Sequence, residues 1–258
     1  MPDATRRSPA HVVTIHDALV LFDCGPGTLH GFDQHGIAWP DLTHIVISHY
    51  HNDHVGDLAA VLFALKHGVS PARTDPLNLI GPMGFRGFIS RLADAFGPYI
   101  LDPGFEVCVT EVAAGSSFVD SANLFRIRSC HTPHTEESLA WRLEGESWVL
   151  GYTGDTGPSV EVANFMLDCQ VLIAECALSD PPQTNIHLTP RTLAEFATIA
   201  TPELLIVTHV YPFQFQGPEE VAAQVQEWAP VPTLAAVDGL RVTLGSEGPD
   251  WTYPPNLG

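Results

Sequence analysis

The chain reads as an α/β protein, and three observations carry that reading. Short runs of Val, Ile and Leu bounded by turn residues alternate with stretches of helical apolar spacing throughout. No linker-like stretch divides the 258 residues, a length suited to one large domain with a buried core. The composition, 45% hydrophobic and 16% charged, is that of a globular chain. A single domain over residues 1–258 made of two similar α/β halves, with strands in two sheets and helices outside, is the simplest arrangement.

The elements follow in order. Val12–Ile15, Leu19–Asp23 and Ile45–Ser48 have strand character, and Asp23-Cys24-Gly25-Pro26-Gly27 forms a loop of turn residues between the last two. Val55–His67 has helical spacing and stops at Gly68. Leu77–Ile80 is a strand, and Gly81-Pro82 turns into a helix over Phe85–Phe96. Phe105–Val112, Leu124–Ser129 and Leu139–Leu143 read as antiparallel strands, and Trp148–Tyr152 as a strand ending in Thr153-Gly154-Asp155. Val171–Ala174 is a buried-type strand. Thr189-Pro190 opens a helix to about Ala200, with an N-cap followed by proline at the first helical position. Leu204–Thr208 is a strand, Pro218–Trp228 a helix, and Leu234–Leu244 one or two closing strands. The tail from Gly245, with Pro249, Pro254 and Pro255, reads as irregular.

Composition excludes several classes. Thirty acidic residues against eleven Lys and Arg give a net charge of -19, the wrong sign for binding phosphate backbones or anionic membrane surfaces. No run approaches the length of a membrane span, and the Arg6-Arg7 start has no apolar segment of signal-peptide type behind it. The five cysteines are scattered without C-x-x-C spacing, which reads as free thiols in a reducing cytoplasm. Thirteen histidines, more than all Lys and Arg together, are the anomaly.

One short segment that holds three of those histidines explains part of it. Ser48-His49-Tyr50-His51-Asn52-Asp53-His54 follows a strand and precedes a helix, so it occupies a loop at a strand C-terminal edge, where α/β sites collect. Three imidazoles and a carboxylate within six residues supply nitrogen and oxygen donors suited to zinc and other borderline divalent ions. A lone histidine reads as a solvated polar residue; this grouping does not.

His49-x-His51-x-Asp53-His54 resembles the metal motif of the metallo-β-lactamase superfamily. Asp23-Cys24-Gly25-Pro26-Gly27-Thr28, His134-x-x-x-Ser138-Leu139-Ala140-Trp141-Arg142, Gly154-Asp155-Thr156 and Thr208-His209 resemble its further motifs in order, over residues 8 to 244. The similarity is closest to the branch of ribonuclease Z and its small-substrate phosphodiesterase relatives. It implies a four-layer αββα sandwich with the site at one edge of the sheets. It also implies two metals, zinc by default with manganese or iron as alternatives. His49, His51 and His134 would hold one, Asp53, His54 and His209 the other, and Asp155 would bridge them with a water or hydroxide. His131 lies three residues from His134, and the spacing to the Ser138 strand favours His134 as the ligand.

Ala174-Glu175-Cys176-Ala177 and His187-Leu188-Thr189 resemble the glutamate and histidine motifs of the same branch. A carboxylate on one ring nitrogen would fix the His187 tautomer and raise its basicity, and His187 would protonate the leaving alkoxide; the plain alternative is a histidine at a helix start. Asp23 fits hydrogen bonding to the metal loop, and Asp57 fits a first-turn acid facing a helix dipole. His11, His16, His30, His35, His44 and His67 have structural or solvated roles. Tyr211-Pro212-Phe213-x-Phe215 either walls a pocket or packs. No cysteine stands at a ligand position, and none has a neighbouring base to make it a nucleophile.

The expected function is a dinuclear metal-dependent hydrolase acting through a metal-bridged hydroxide, with a small phosphodiester, such as a cyclic nucleotide, as substrate. A lactonase, arylsulfatase or β-lactamase-like hydrolase is the alternative, and a non-catalytic binding protein would need lost ligands that this chain retains. Ribonuclease Z activity on tRNA, which relatives serve with a long Gly/Pro-rich arm, fits less well. The corresponding stretch Phe96–Gly104 is short, and two Zn²⁺ would bring the charge only to about -15. Relatives usually begin with a strand and a Gly-rich turn ahead of the segment matched by Arg7-Ser8-Pro9-Ala10, and this sequence begins almost there. That strand is expected to be missing or the start shortened, and an exposed sheet edge would invite a homodimer. A small-molecule substrate, no membrane and a cytoplasmic location complete the expectation.

Overall fold

The computed structural model describes residue 3 and residues 5–254; residues 1, 2, 4 and 255–258, Pro255 of the tail among them, lie outside the described residues. The chain divides into two compact units, Arg7–Ala113 and Ala114–Gly258 with Met1–Arg6.

In the first unit, β1 (His11–Ile15), β2 (Ala18–Phe22), β3 (His44–Val46), β4 (Leu77–Pro82) and β5 (Val107–Val112) form one sheet in that order. The β1–β2 hairpin is antiparallel, and β2, β3, β4 and β5 run parallel. The core joins Leu21, Ile45 and Leu79 of the strands to Leu58, Leu62 and Leu65 of α3 (Leu58–His67) and to Phe85 and Ile89 of α4 (Phe85–Phe96). Two short helices, α1 (Thr28–Gln34) and α2 (Asn52–Val55), sit in the loops after β2 and β3.

In the second unit, β6 (Ser117–Val119), β7 (Arg126–His131), β8 (Leu139–Glu144), β9 (Val149–Tyr152), β10 (Val171–Glu175), β11 (Leu204–Thr208) and β12 (Thr233–Ala235) form a seven-stranded sheet, ordered β12-β11-β10-β9-β8-β7-β6. From β6 to β9 the pairing is antiparallel, and from β9 to β12 it is parallel. Helices α5 (Val160–Phe165), α6 (Pro190–Ala200) and α7 (Pro218–Trp228) bury Val162, Leu193, Ala197, Val221 and Val225 with Leu172, Leu205 and Val207 of the strands. Thr189 caps α6 as the Thr-Pro pair predicts, its side chain accepting from the Thr192 N–H in a reciprocal capping box. β13 (Arg241–Gly245) and β14 (Gly248–Thr252) form a separate antiparallel hairpin.

The structure departs from the sequence expectation in three places. β5 is not an antiparallel partner of the strands that follow it; it pairs parallel to β4, because α4 returns the chain to the same edge. The tail from Gly245 is not irregular as far as Thr252, since Pro249 sits opposite Leu244 in a two-stranded hairpin whose outer edge needs no donor. The helix expected from Val55 breaks at Gly56 into α2 and α3, and Asp57 stands at the N-cap of α3. Its carboxylate turns away from that helix and accepts the N–H groups of Gly27 (2.9 Å) and Leu29 (3.2 Å), which caps α1.

Gly25 shows how closely the motif loops approach. A Cβ there would stand 2.0 Å from the Asp53 carbonyl oxygen and 2.4 Å from the Ser8 Cβ, both short of any real contact. Gly25→Ala is therefore expected to lower the urea unfolding midpoint, by about 1–3 kcal/mol of stability. Gly87→Ala, at an exposed position of α4 with only Arg91 within 4 Å, is expected to raise it by about 0.4–1 kcal/mol.

Candidate active site

Parallel strands end at a common edge, and the residues singled out from the sequence follow those ends. In the first unit, Phe22 of β2 pairs with Val46 of β3, so Asp23 and Ser48 emerge side by side. The Asp23 N–H donates to the Val46 carbonyl at 2.8 Å. Asp23 is fully buried and holds a left-handed backbone (φ 56°), uncommon for a residue with a Cβ. Its Oδ1 accepts the Ser48 N–H at 2.7 Å, and its Oδ2 accepts the Ser48 hydroxyl at 2.8 Å and His54 Nδ1–H at 2.7 Å. Because the Ser48 hydroxyl gives its proton to Asp23, its oxygen is left to accept from His49 Nδ1, 3.0 Å away. Both buried histidines therefore keep Nδ1 on an acceptor and offer Nε2 as the basic nitrogen. His49 Nε2 lies 3.0 Å from Nδ1 of the exposed His51, and His54 Nε2 lies 3.9 Å from Asp53 Oδ2.

The second unit repeats the device. Asp155 follows β9, Glu175 ends β10 and His209 follows β11, three adjacent parallel strands. His209, like Asp23, has positive φ (55°). Asp155 directs Oδ2 toward His134 Nε2 at 3.6 Å and Oδ1 toward His209 Nε2 at 3.4 Å, one carboxylate with each oxygen facing a different imidazole. His134 Nδ1–H donates to the Ile186 carbonyl at 3.0 Å, which again leaves Nε2 as the basic nitrogen. His131, at the end of β7, is exposed. Asp155, His187 and His209 offer ligand atoms within 4.8 Å of one another.

Glu175 is fully buried, and burial pushes its carboxyl above the usual range while His187 works against that shift. Its Oε1 accepts His187 Nδ1–H at 2.7 Å and the Thr156 N–H at 2.9 Å. Its Oε2 accepts the N–H groups of Ala177 (3.0 Å) and Leu188 (3.3 Å). His187 Nε2 faces the Tyr211 hydroxyl at 3.4 Å. Sequence reasoning left Tyr211 open between a pocket wall and ordinary packing; the structure sets its hydroxyl on the one ring nitrogen that Glu175 leaves over.

The donors fit divalent metal. Imidazole and carboxylate are the ligands of borderline cations, and two nitrogens of one tetrahedral zinc stand about 3.3 Å apart for bonds of about 2.0–2.1 Å. The His49–His51 nitrogens and both Asp155–histidine pairs lie near that separation. Burial disfavours the thiolate form of every cysteine: Cys130 is raised to about 11, Cys169 to about 12, and Cys24, Cys108 and Cys176 upward as well. Among the described residues no helix is long and apolar enough to cross a membrane.

Comparison with known proteins agrees with the motifs. Residues 19–210 match the model of the beta-lactamase superfamily domain. The chain belongs to the metallo-β-lactamase superfamily of metal-dependent hydrolases, and its fold is the α/β fold of that family. Ribonuclease Z of Picrophilus torridus is 24% identical over 261 residues, covering 81% of this chain and 82% of that protein. The metallo-beta-lactamase fold protein YhfI from Bacillus subtilis superposes with a TM-score of 0.79 at 20% identity, over 92% of each chain. A diphosphatase from the PhnP family superposes with a TM-score of 0.65 at 19% identity, over 90% of this chain and 82% of that one. The ribonuclease Z-like character read from the sequence is thus shared with a curated relative.

Glu175 takes backbone N–H donors on both oxygens, so an amide cannot replace it. Its NH₂ would face an N–H donor whichever way it turned. Glu175→Gln is expected to lose about 1–3 kcal/mol in denaturant unfolding despite its unchanged shape.

Proposed function

We propose that this hydrolase cleaves a small phosphodiester, such as a cyclic nucleotide, with His187 protonating the leaving oxygen. The observation that carries the proposal is the buried Glu175–His187 pair, 2.7 Å long, beside Asp155. The metal ligands in this reading are His49, His51, Asp53, His54, His134, Asp155 and His209, for two ions with zinc as the metal. Asp155 is the shared ligand, which its two divergent oxygens support. Two such ions, when bound, polarise the phosphoryl group and lower the pKa of a water.

The chain's own residues do the rest. Asp23 holds His54 and, through Ser48, His49 in the orientation that presents Nε2. Asp155, between the two ions, would offset their mutual repulsion, and Asp53, a ligand of the second ion, is read with His187 and Glu175 as a catalytic residue. Glu175 keeps His187 Nδ1 protonated, so the mobile proton resides on Nε2 and moves from there to the departing alkoxide. Thr156, Ala177 and Leu188 fix Glu175 in turn through their backbone N–H groups.

The second reading is tRNA 3′ processing, favoured by the name of the Picrophilus relative. Against it stand the charge of -19 and the single short turn, Pro98–Ile100, between α4 and β5. A lactonase, arylsulfatase or β-lactamase-like activity would use the same donors on another ester or amide.

Metal analysis should return two equivalents per chain, and chelation should abolish turnover. Of bis-p-nitrophenyl phosphate, 2′,3′-cyclic nucleotides, an acyl-homoserine lactone, an aryl sulfate, nitrocefin and a precursor tRNA, the phosphodiesters of low mass should react best. Turnover of lactone alone, or of precursor tRNA alone, would overturn the proposal. His187→Ala should lower kcat about 10²–10⁴-fold with metal content intact; loss of metal instead would make His187 a ligand.

A further inference from the structure

We infer that Tyr211 and Phe213 form a stacking platform for a nucleobase carried on the leaving side of the substrate. The inference rests on the phosphodiesterase reading above and deepens it to a nucleoside-bearing ester. Its starting point is Phe213, which is 74% exposed although it lies on a loop built with care.

That loop follows His209 directly and is anchored at several points. Phe215 is buried in the core of its own unit, and the Gln214 N–H closes a turn on the Tyr211 carbonyl at 3.0 Å. The Gln214 side-chain carbonyl accepts the Ser179 hydroxyl at 2.6 Å, and the Gln216 N–H donates to Glu220 at 2.8 Å. Pro212 fixes one φ angle between the two rings. An aromatic ring held outward by a fixed turn keeps its apolar face in water, a cost that a ligand's ring would relieve.

The position of the rings selects the ligand. Tyr211 reaches His187 Nε2 through its hydroxyl at 3.4 Å, and its ring centroid lies 5.4 Å from that of Phe213 at an interplanar angle of 39°. The platform therefore begins one hydrogen bond from the atom that protonates the leaving oxygen and extends one ring farther out. A sugar separates ester oxygen from base in a nucleoside, so a nucleoside leaving group reaches from the one to the other. Flat π-faces accept any base, because each base presents a π-face of its own. An aliphatic alcohol leaving group would gain nothing from this arrangement.

The test uses the metal-loaded full chain and needs no turnover. 2-Aminopurine riboside 5′-monophosphate is the product type of a 3′,5′-cyclic nucleotide, in which the departed 3′ oxygen and the retained 5′-phosphate stay on one nucleoside. It should bind with quenched fluorescence and displace more weakly held ribose 5-phosphate. Phe213→Ala should weaken its binding about tenfold and remove the quenching, while Phe213→Trp restores both and ribose 5-phosphate binds all three proteins alike. Equal affinity of native protein and Phe213→Ala for the nucleotide would overturn the inference, as would no nucleotide binding at all. So would an equal loss for ribose 5-phosphate, which marks a merely structural role. Phosphodiester turnover without base-dependent binding would leave the function standing and remove the platform. Base-dependent binding without phosphodiester turnover would do the reverse.

Discussion

The site depends on which nitrogen of each imidazole the protein keeps for itself. A neutral histidine has one N–H and one lone pair, and a ligand or proton-transfer role needs the lone pair or mobile proton at a known place. Here the Nδ1 atoms of His49, His54, His134 and His187 all lie on protein oxygens, from Ser48, Asp23, the Ile186 carbonyl and Glu175. Nε2 is thereby the outward atom of each. Two buried carboxylates do most of this steering, and both are stabilised by backbone N–H donors, from the segments after parallel strands and, at Leu188, from just ahead of the start of α6. A buried carboxylate without such donors would be costly. With them it becomes a fixed negative pole from which the rings are oriented.

The same strand ends explain the strained backbone of two of these residues. Asp23 and His209 both adopt the left-handed region, where a Cβ crowds the neighbouring carbonyl. Each is the first residue past a parallel strand, at the point where the chain leaves the sheet and a side chain must turn back over its edge. A glycine would relieve the backbone but carries no donor atom. Strain of about 1–3 kcal/mol at such a position is tolerable because the flanking ladder over-determines the geometry.

The parts of the fold legible in the sequence were those fixed by local pattern. α3, α4, α6 and α7 carry helical periodicity or a Thr-Pro start, and β10 and β11 are unbroken apolar runs. The elements the pattern missed depend on distant partners. α1 is seven residues long, starts from Gly27 at φ 95° and is capped by Asp57, about thirty positions away. β6 is three residues of half-exposed strand with meaning only against β7. Asp57 had a local explanation from the helix dipole, and its side chain serves another helix. The metal-type donors were legible as a motif because four of them sit within six residues. The hydrogen bond from Tyr211 to His187 was not, since nothing in either stretch points to the other.

The acidity of the chain and the anionic character of the proposed substrate are compatible once distance is considered. A polyanion such as tRNA extends over tens of ångströms and meets the whole surface, where 30 acidic side chains outnumber 11 basic ones. A small phosphodiester carries one charge, and at physiological ionic strength it is screened from all groups beyond about 8 Å. Beside His187 the second unit presents Asp155 and Glu175, one facing two imidazoles and the other tied to His187 and to three N–H donors. Neither carboxylate is left with its charge uncompensated toward an incoming anion. In the proposed reading the excess of acid would filter substrates by size, and the histidines would set what happens to those that pass.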